Sequence, residues 1–485
     1  MSNLKGIEPA SVWKHFESLT NIPRPSKKEQ KAARFVKEFG EKLGLETIMD
    51  ETGNVIIKKP ASSGYEDRQG VVLQGHIDMV PQKNNDVEHD FENDPIEAYV
   101  DGEWVTAKGT TLGADNGIGV AAAMAVLEDD TLGHGPLEVL VTVDEESGMT
   151  GAFGLKSGLL DGKILVNMDS EDEGELYIGC AGGMDTLINF HYNQENTPAG
   201  MQAYTLEIKG LKGGHSGLDI HLGRGNAIKL LNRFMWEAHK TCGLRIASME
   251  AGNMRNAIPR EGQAVVVIPE NEVKRFEMFV KDYEAIIQAE LYSTEPDLMF
   301  FAKPADLPGS IMEKVKQEAV LKGIYGCPNG VYAYIADMPE VVETSTSMGI
   351  AKIREGQVQM TTLQRSSVDT AKQDLGNMIR SVFELAGAEV KHSGEYPGWK
   401  PNVNSPVLAV MKDVYKNRFN KTPEVKVIHA GLECGIIMDK YPQMDAISFG
   451  PTIQYPHSPD EMINIESTQK FWQFLVDTLK NVPEK

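Results

Sequence analysis

Short apolar runs punctuate the first part of the chain: Val71-Val72-Leu73, residues 137–143 and residues 164–168. Each is the length of a strand and is followed by polar or glycine-rich positions. Stretches with helical spacing, such as residues 118–127, lie between them. Unbroken apolar runs alternating with helices predict strands buried on both faces and covered by helices. The expected class is therefore α/β with a mostly parallel sheet.

Upstream, the pattern predicts a short helix over residues 9–19, interrupted by Ile22-Pro23-Arg24-Pro25. Ser26 with Glu29 has the spacing of a capping box and predicts the start of a strongly periodic helix over 31–43. A hairpin-like region follows through Thr52-Gly53-Asn54-Val55-Ile56-Ile57. From about residue 187 to 388 the texture changes to alternating strands such as 204–208 and amphipathic helices such as 227–238. A second strand-rich half of this region ends in Gln357-Val358-Gln359-Met360 and a helix over 370–386.

The chain has 485 residues, too many for one ordinary core, so two or three domains are expected. A hydrophobic fraction of 41% beside 24% charged residues is that of a globular protein. The net charge of -22 argues against nucleic acid and anionic membrane as partners. Cys180, Cys242, Cys327 and Cys434 are far apart, which suggests a reducing compartment and no disulfide framework. With no signal-like apolar segment in residues 1–16 and no run approaching a membrane span, the cytoplasm is the expected location.

In open sheets of this class, ligands sit beyond the carboxyl ends of the strands. Those ends carry His76 and Asp78, then Asp144-Glu145-Glu146, then Asp169. Side chains two apart on a strand share a face, which sets the His76 imidazole beside the Asp78 carboxylate. Asp115 lies in the glycine-flanked segment Gly113-Ala114-Asp115-Asn116-Gly117, and His457 follows the late apolar run 446–449. Singly, each has an ordinary explanation as a turn residue, a helix cap or a solvated loop. Together they bring metal-ligating side chains to one rim.

Gly75-His76-Ile77-Asp78-Met79-Val80-Pro81, Gly113-Ala114-Asp115-Asn116-Gly117, Asp144-Glu145-Glu146-Ser147-Gly148 and His457 resemble the motifs of the co-catalytic zinc exopeptidases, which include aminoacylases, glutamate carboxypeptidases and dipeptidases. Ile22-Pro23-Arg24-Pro25-Ser26, the segment 253–260 and His429-Ala430-Gly431-Leu432-Glu433-Cys434-Gly435 look like the bacterial dipeptidase branch that acts on Xaa-His dipeptides. The resemblance implies two zinc ions per chain, with cobalt or manganese as substitutes, bridged by Asp115. His76 and Asp169 would complete one site, Glu146 and His457 the other. It also implies that Asp78 orients His76, that Glu145 acts as general acid and base toward a metal-bridged hydroxide, and that the Asp115–Asn116 peptide is cis.

The resemblance further implies a catalytic domain over 1–186 and 389–485 and an inserted α+β lid over 187–388. The length of that insert and its second strand-rich half suggest a duplicated lid. His215, in Gly213-Gly214-His215-Ser216-Gly217, would stabilise the oxyanion, and Asn256 and Arg365 would receive the substrate's terminal carboxylate. Glu433 is our own candidate for the substrate's ammonium. The expected activity is hydrolysis of dipeptides, Xaa-His and β-alanyl-histidine among them, by a cytoplasmic homodimer. Alternatives are an N-acyl amino acid hydrolase or another exopeptidase on this fold, and a non-catalytic metal-binding scaffold. No phosphate-binding Gly-x-x-x-x-Gly-Lys-Ser/Thr motif is present.

Overall fold

A computed structural model describes residues 4–485. The chain divides into two compact units. The first comprises residues 1–180, 399–427 and 432–485, the second residues 181–398 and 428–431. The boundaries expected from sequence lay at 186/187 and 388/389.

The first unit is built on an eight-stranded sheet whose centre is parallel. Leu137–Thr142, Val71–His76, Ile164–Asn167 and Asp445–Ser448 run side by side in one direction. The first two are buried along their whole length, which is why their sequences read as continuous apolar runs. Parallel pairing stops there. The hairpin Glu46–Met49 and Val55–Lys59 joins one side antiparallel, and Glu175–Cys180 pairs antiparallel on the other. The sheet is thus mixed around a parallel core. The helix Ala114–Glu128 is buried from Asn116 to Leu127 on all its faces. It packs between the helix Ala10–Thr20 and the strand Val71–His76, so no side of it needs to be polar.

One local expectation fails. The helix Gln30–Lys42 forms, but Glu29 is its N-cap residue and makes no side-chain cap bond. Ser26 instead donates to Asp78 Oδ2 at 2.7 Å. A buried carboxylate competes for that hydroxyl better than an exposed helix end, which water can serve.

The second unit holds a nine-stranded antiparallel sheet. Met201–Lys209, Arg245–Ala251, Gly262–Pro269 and Met299–Ala305, with helices Ala227–Cys242 and Val273–Glu290, run strand-helix-strand-strand-helix-strand. In the sheet the fourth strand lies beside the first, then come the third and the second. Gly182–His191, Met338–Arg354, Gln357–Ser366 and Glu389–Tyr396, with helices Lys314–Gly326 and Asp369–Leu385, repeat that chain order and that strand order. The two sets join edge to edge where Arg245–Ala251 pairs with Met338–Arg354. One continuous apolar core lies under the sheet, centred on Phe234 with Phe276, Phe279, Tyr283 and Phe300 around it. No helix of the described residues is long and apolar enough to cross a membrane.

Candidate metal centre

Parallel strands deliver their carboxyl ends to one rim, and the first unit uses this to gather its acidic residues. His76 is the last residue of its strand, Asp169 lies two past the end of Ile164–Asn167, and Glu145 and Glu146 open the turn after Leu137–Thr142. Asp144, at φ 51°, takes the left-handed conformation that makes that turn. Asp115 stands in the irregular first turn of Ala114–Glu128, and its peptide to Asn116 is cis. Asn116 donates to the Met168 carbonyl at 2.6 Å, and a Cβ on Gly75 would lie 2.2 Å from its Oδ1. Only glycine at position 75 admits this crossing.

Asp115 sits between two histidines. Its Oδ1 is 3.0 Å from His76 Nε2, which is itself 3.3 Å from Asp169 Oδ1. Its Oδ2 is 3.2 Å from His457 Nε2, which is 2.9 Å from Glu146 Oε2. Two trios therefore share one bridging carboxylate. Donor atoms bound to one tetrahedral zinc at about 2.0–2.1 Å lie about 3.3 Å apart, so these spacings suit a cation in each trio. Glu146 Oε1 and Asp169 Oδ1 are buried and take no hydrogen bond, which leaves them free for a metal.

The electrostatics agree. Burial, with Asp115 and Glu146 nearby, pushes Asp169 up to about 7. Burial also raises Glu145 well above the usual carboxylate range, and Asp169, Glu433 and Glu146 add to it. Hydrogen bonds to Asp115 and Glu146 lift His457 to about 11. Burial works against protonation of His76, yet Asp169, Asp115 and Asp78 outweigh it and raise it well above its ordinary value. Negative charge is in excess here, and divalent cations would neutralise it.

Asp78 is held differently. Burial alone would raise it, but His76, the Glu145 amide and Ser26 bring it to about 2. It lies 3.4 Å from His76 Nδ1 and accepts from the amides of Glu145 and Glu146 at 3.0 and 3.2 Å. That carboxylate ties the imidazole to the turn bearing Glu145.

Glu433 does not fit the role read for it. It is 1% exposed, and its Oε2 accepts from Gln74 Nε2 at 2.6 Å and Thr142 Oγ1 at 2.7 Å. A carboxylate sealed against two sheet strands offers no approach to a substrate ammonium. Its place in a glycine-rich segment before an apolar run suggested the role, whereas Glu433 opens the helix Glu433–Lys440 and is buried there.

Within the second unit, His215, Asn256 and Arg365 come together. The His215 loop bonds to the Asn256 loop through Ser216 N to Asn256 O and Ile258 N to Gly214 O, both 2.8 Å. His215 Nδ1 accepts from the amides of Gly217 and Leu218, so its proton sits on Nε2. Burial and then Arg365 lower its pKa to about 4, which keeps it neutral. Nε2 stands 3.3 Å from Arg365 Nη2. Neither group can accept from the other, so two donors stand side by side. Arg365 Nε is also buried without a partner.

Sequence reasoning missed Arg24 and Glu461. Arg24 is 1% exposed and donates to the carbonyls of Ile77 and Gly113 at 2.8 and 2.6 Å. Glu461 is 2% exposed and accepts from the amides of Leu112, Gly113 and Asp115. Arg24 had a weak signal, a cation between two prolines. Glu461 had none, because its partners are backbone atoms far away in the chain.

Residues 72–481 match the model of peptidase family M20/M25/M40. Over 485 residues, covering all of both chains, the sequence is 45% identical to the cytosol non-specific dipeptidase of Escherichia coli strain K12. The structure superposes on aminoacylhistidine dipeptidase from Vibrio alginolyticus with a TM-score of 0.96 at 46% identity, covering 100% of this chain and 99% of that one. Aminopeptidase PepT from Bacillus cereus shares the fold at a TM-score of 0.62 and 17% identity, over 98% and 99% of the two chains. The chain belongs to peptidase family M20/M25/M40.

Proposed function

We propose that this protein is a two-metal dipeptidase whose substrates are Xaa-His dipeptides, β-alanyl-histidine among them. The observation that carries the reading is the Asp115 bridge between two acidic, histidine-bearing trios, with Glu145 beside them and outside both. A structural metal site needs no such spare carboxylate. The match to two dipeptidases over essentially full length supports the substrate class. Carboxylate and imidazole donors suit zinc, with cobalt or manganese as substitutes.

His76, Asp115 and Asp169 would hold one ion, and Asp115, Glu146 and His457 the other. Bound there, two divalent cations supply Lewis acidity that acidifies water and polarises a carbonyl. Glu145 takes the proton of the attacking water and returns it to the leaving amine. Asp78 accepts from the Glu145 amide and so fixes the turn that aims it. In this reading the second unit is the lid. His215 Nε2 and Arg365 offer their donors to anionic oxygens of the substrate, and Asn256 joins Arg365 at the terminal carboxylate. Family resemblance adds a cytoplasmic homodimer.

The experiment is hydrolysis of β-alanyl-histidine, alanyl-histidine and N-acetyl-histidine by the wild type and by Glu145→Ala, with bound metal counted in both. Cleavage of the free dipeptides, lowered roughly 10²–10⁴-fold in Glu145→Ala while two ions remain, is expected. Cleavage of the acetylated compound alone would make the protein an acylase. Full metal without hydrolysis of any substrate would leave only a metal-binding scaffold.

A further inference from the structure

The segment that carries the bridging ligand is gripped from both sides by buried charges. Gly113 lies at its centre, in the left-handed conformation with φ 72°. Its amide donates to Glu461 Oε2 at 2.9 Å, and its carbonyl accepts from Arg24 Nη2 at 2.6 Å. Glu461 takes two more amides, Leu112 at 2.8 Å and Asp115 itself at 3.1 Å. A Cβ on Gly113 would lie 2.6 Å from Arg24 Nη2 and 2.9 Å from Met79 Sδ, so the grip leaves no slack.

Each clasping residue also reaches a second ligand-bearing segment. Arg24 Nη1 bonds the Ile77 carbonyl at 2.8 Å, between His76 and Asp78. Glu461 lies four residues past His457, and its own carbonyl accepts from Thr106 Oγ1 at 2.8 Å. The loop bearing Asp115 is thereby tied to the strand end bearing His76 through Arg24, and to the segment bearing His457 through Glu461. Both residues are nearly sealed from water, so neither bond has a solvent substitute.

We infer that Arg24 and Glu461 are positioning residues that set the bridging carboxylate of Asp115 between the two cation sites, and that Glu461 governs retention of the ion shared by Asp115, Glu146 and His457. The inference rests on the two-cation reading above. A carboxylate suits this position because one oxygen accepts two amides and the other accepts a third, whereas an amide side chain must turn an N–H₂ toward one of those N–H groups. Mispairing at the Asp115 amide rotates the bridging side chain away from His457 first, since His76 keeps its own anchor in Asp78.

The test is a zinc titration of metal-free wild type, Glu461→Gln and Arg24→Lys, followed by calorimetry and by chelator competition, with the thermal midpoint of each metal-free protein recorded. The wild type is expected to bind two ions in resolvable steps. Glu461→Gln should weaken one of the two steps about 10–100-fold and leave the other within about threefold. Arg24→Lys keeps the charge but loses the two-carbonyl fork, and should weaken the same step less; it also serves if Glu461→Gln does not fold. Two unchanged steps in both folded variants would overturn the inference. Equal loss of both steps with a lowered metal-free midpoint would reduce the pair to general structural support and overturn it as well. A wild type that binds fewer than two ions would instead sink the two-cation reading.

Discussion

In the first unit Asp115, Glu145, Glu146 and Asp169 crowd around two histidines, and carboxylate oxygens are left without partners. In the second, Arg365, His215, His221 and His429 lie near one another, with Asp219 and Asp185 at the border. One region has excess negative charge, and burial raises the pKa values of Glu145, Glu146 and Asp169. The other sets the Arg365 cation beside histidines whose pKa values are lowered: burial, then Arg365, His215 and His221, bring His429 to about 3. The first is shaped for cations and the second for an anionic oxygen. The difference teaches that polar groups left short of partners mark what each unit takes, while the apolar cores beneath account for the fold.

The largest effect expected concerns the apolar core of the second unit. Phe234 touches four aromatic neighbours at centroid distances of 4.9 to 5.9 Å. Phe234→Ala should cost about 3–5 kcal/mol, seen as a lowered denaturant midpoint at unchanged slope. A cost below about 1 kcal/mol would show that this core repacks freely.

Next comes pH. A carboxylate whose folded pKa is raised, as Asp169 is from 3.8 to about 7, stabilises below 3.8 and loses that contribution as pH rises through about 7. A histidine whose folded pKa is lowered, as His429 is from 6.5 to about 3, stabilises above 6.5 and loses that contribution as pH falls toward about 3. Between pH 7 and pH 5 the metal-free first unit should therefore gain stability and the second lose it. Hydrogen exchange of peptides from each unit, corrected for intrinsic rates, reads the two slopes separately. Slopes of the same sign would break the comparison, and zinc should abolish the first slope only.

Arg365→Lys should raise KM for dipeptides about tenfold and leave bound metal unchanged, because an ammonium cannot reproduce the planar fork. Unchanged KM would remove Arg365 from substrate binding. The smallest effect belongs to the exposed pair of Arg233 and Glu290 at 2.6 Å, where Glu290→Ala should cost under about 1 kcal/mol in urea unfolding.

Much of the centre was legible in the sequence because its residues stand at the ends of apolar runs, and a buried parallel strand must release its chain at the rim. His76, Glu146 and Asp169 follow that rule, Asp115 stood out in its glycine-flanked segment and His457 after a late apolar run, and motif resemblance added the grouping of the five. Ser26 was misread because its spacing to Glu29 satisfies a local capping rule, while its real partner, Asp78, lies 52 residues away. The substrate role read for Glu433 rested on its glycine-rich segment alone, yet its contacts are Gln74 and Thr142 on strands remote in the chain.

By itself the sequence determined which stretches become strands and helices, the change of texture near residue 187, and which side chains are candidates for metal binding. These are local properties of periodicity and residue type. Tertiary structure alone decided that the sheet is parallel only at its centre, that one strand order occurs twice in the second unit, that His215 Nε2 and Arg365 stand side by side, and that Arg24 and Glu461 hold the Asp115 segment. Each of those depends on backbone amides, carbonyls and strand neighbours, which every residue possesses and no side-chain pattern records.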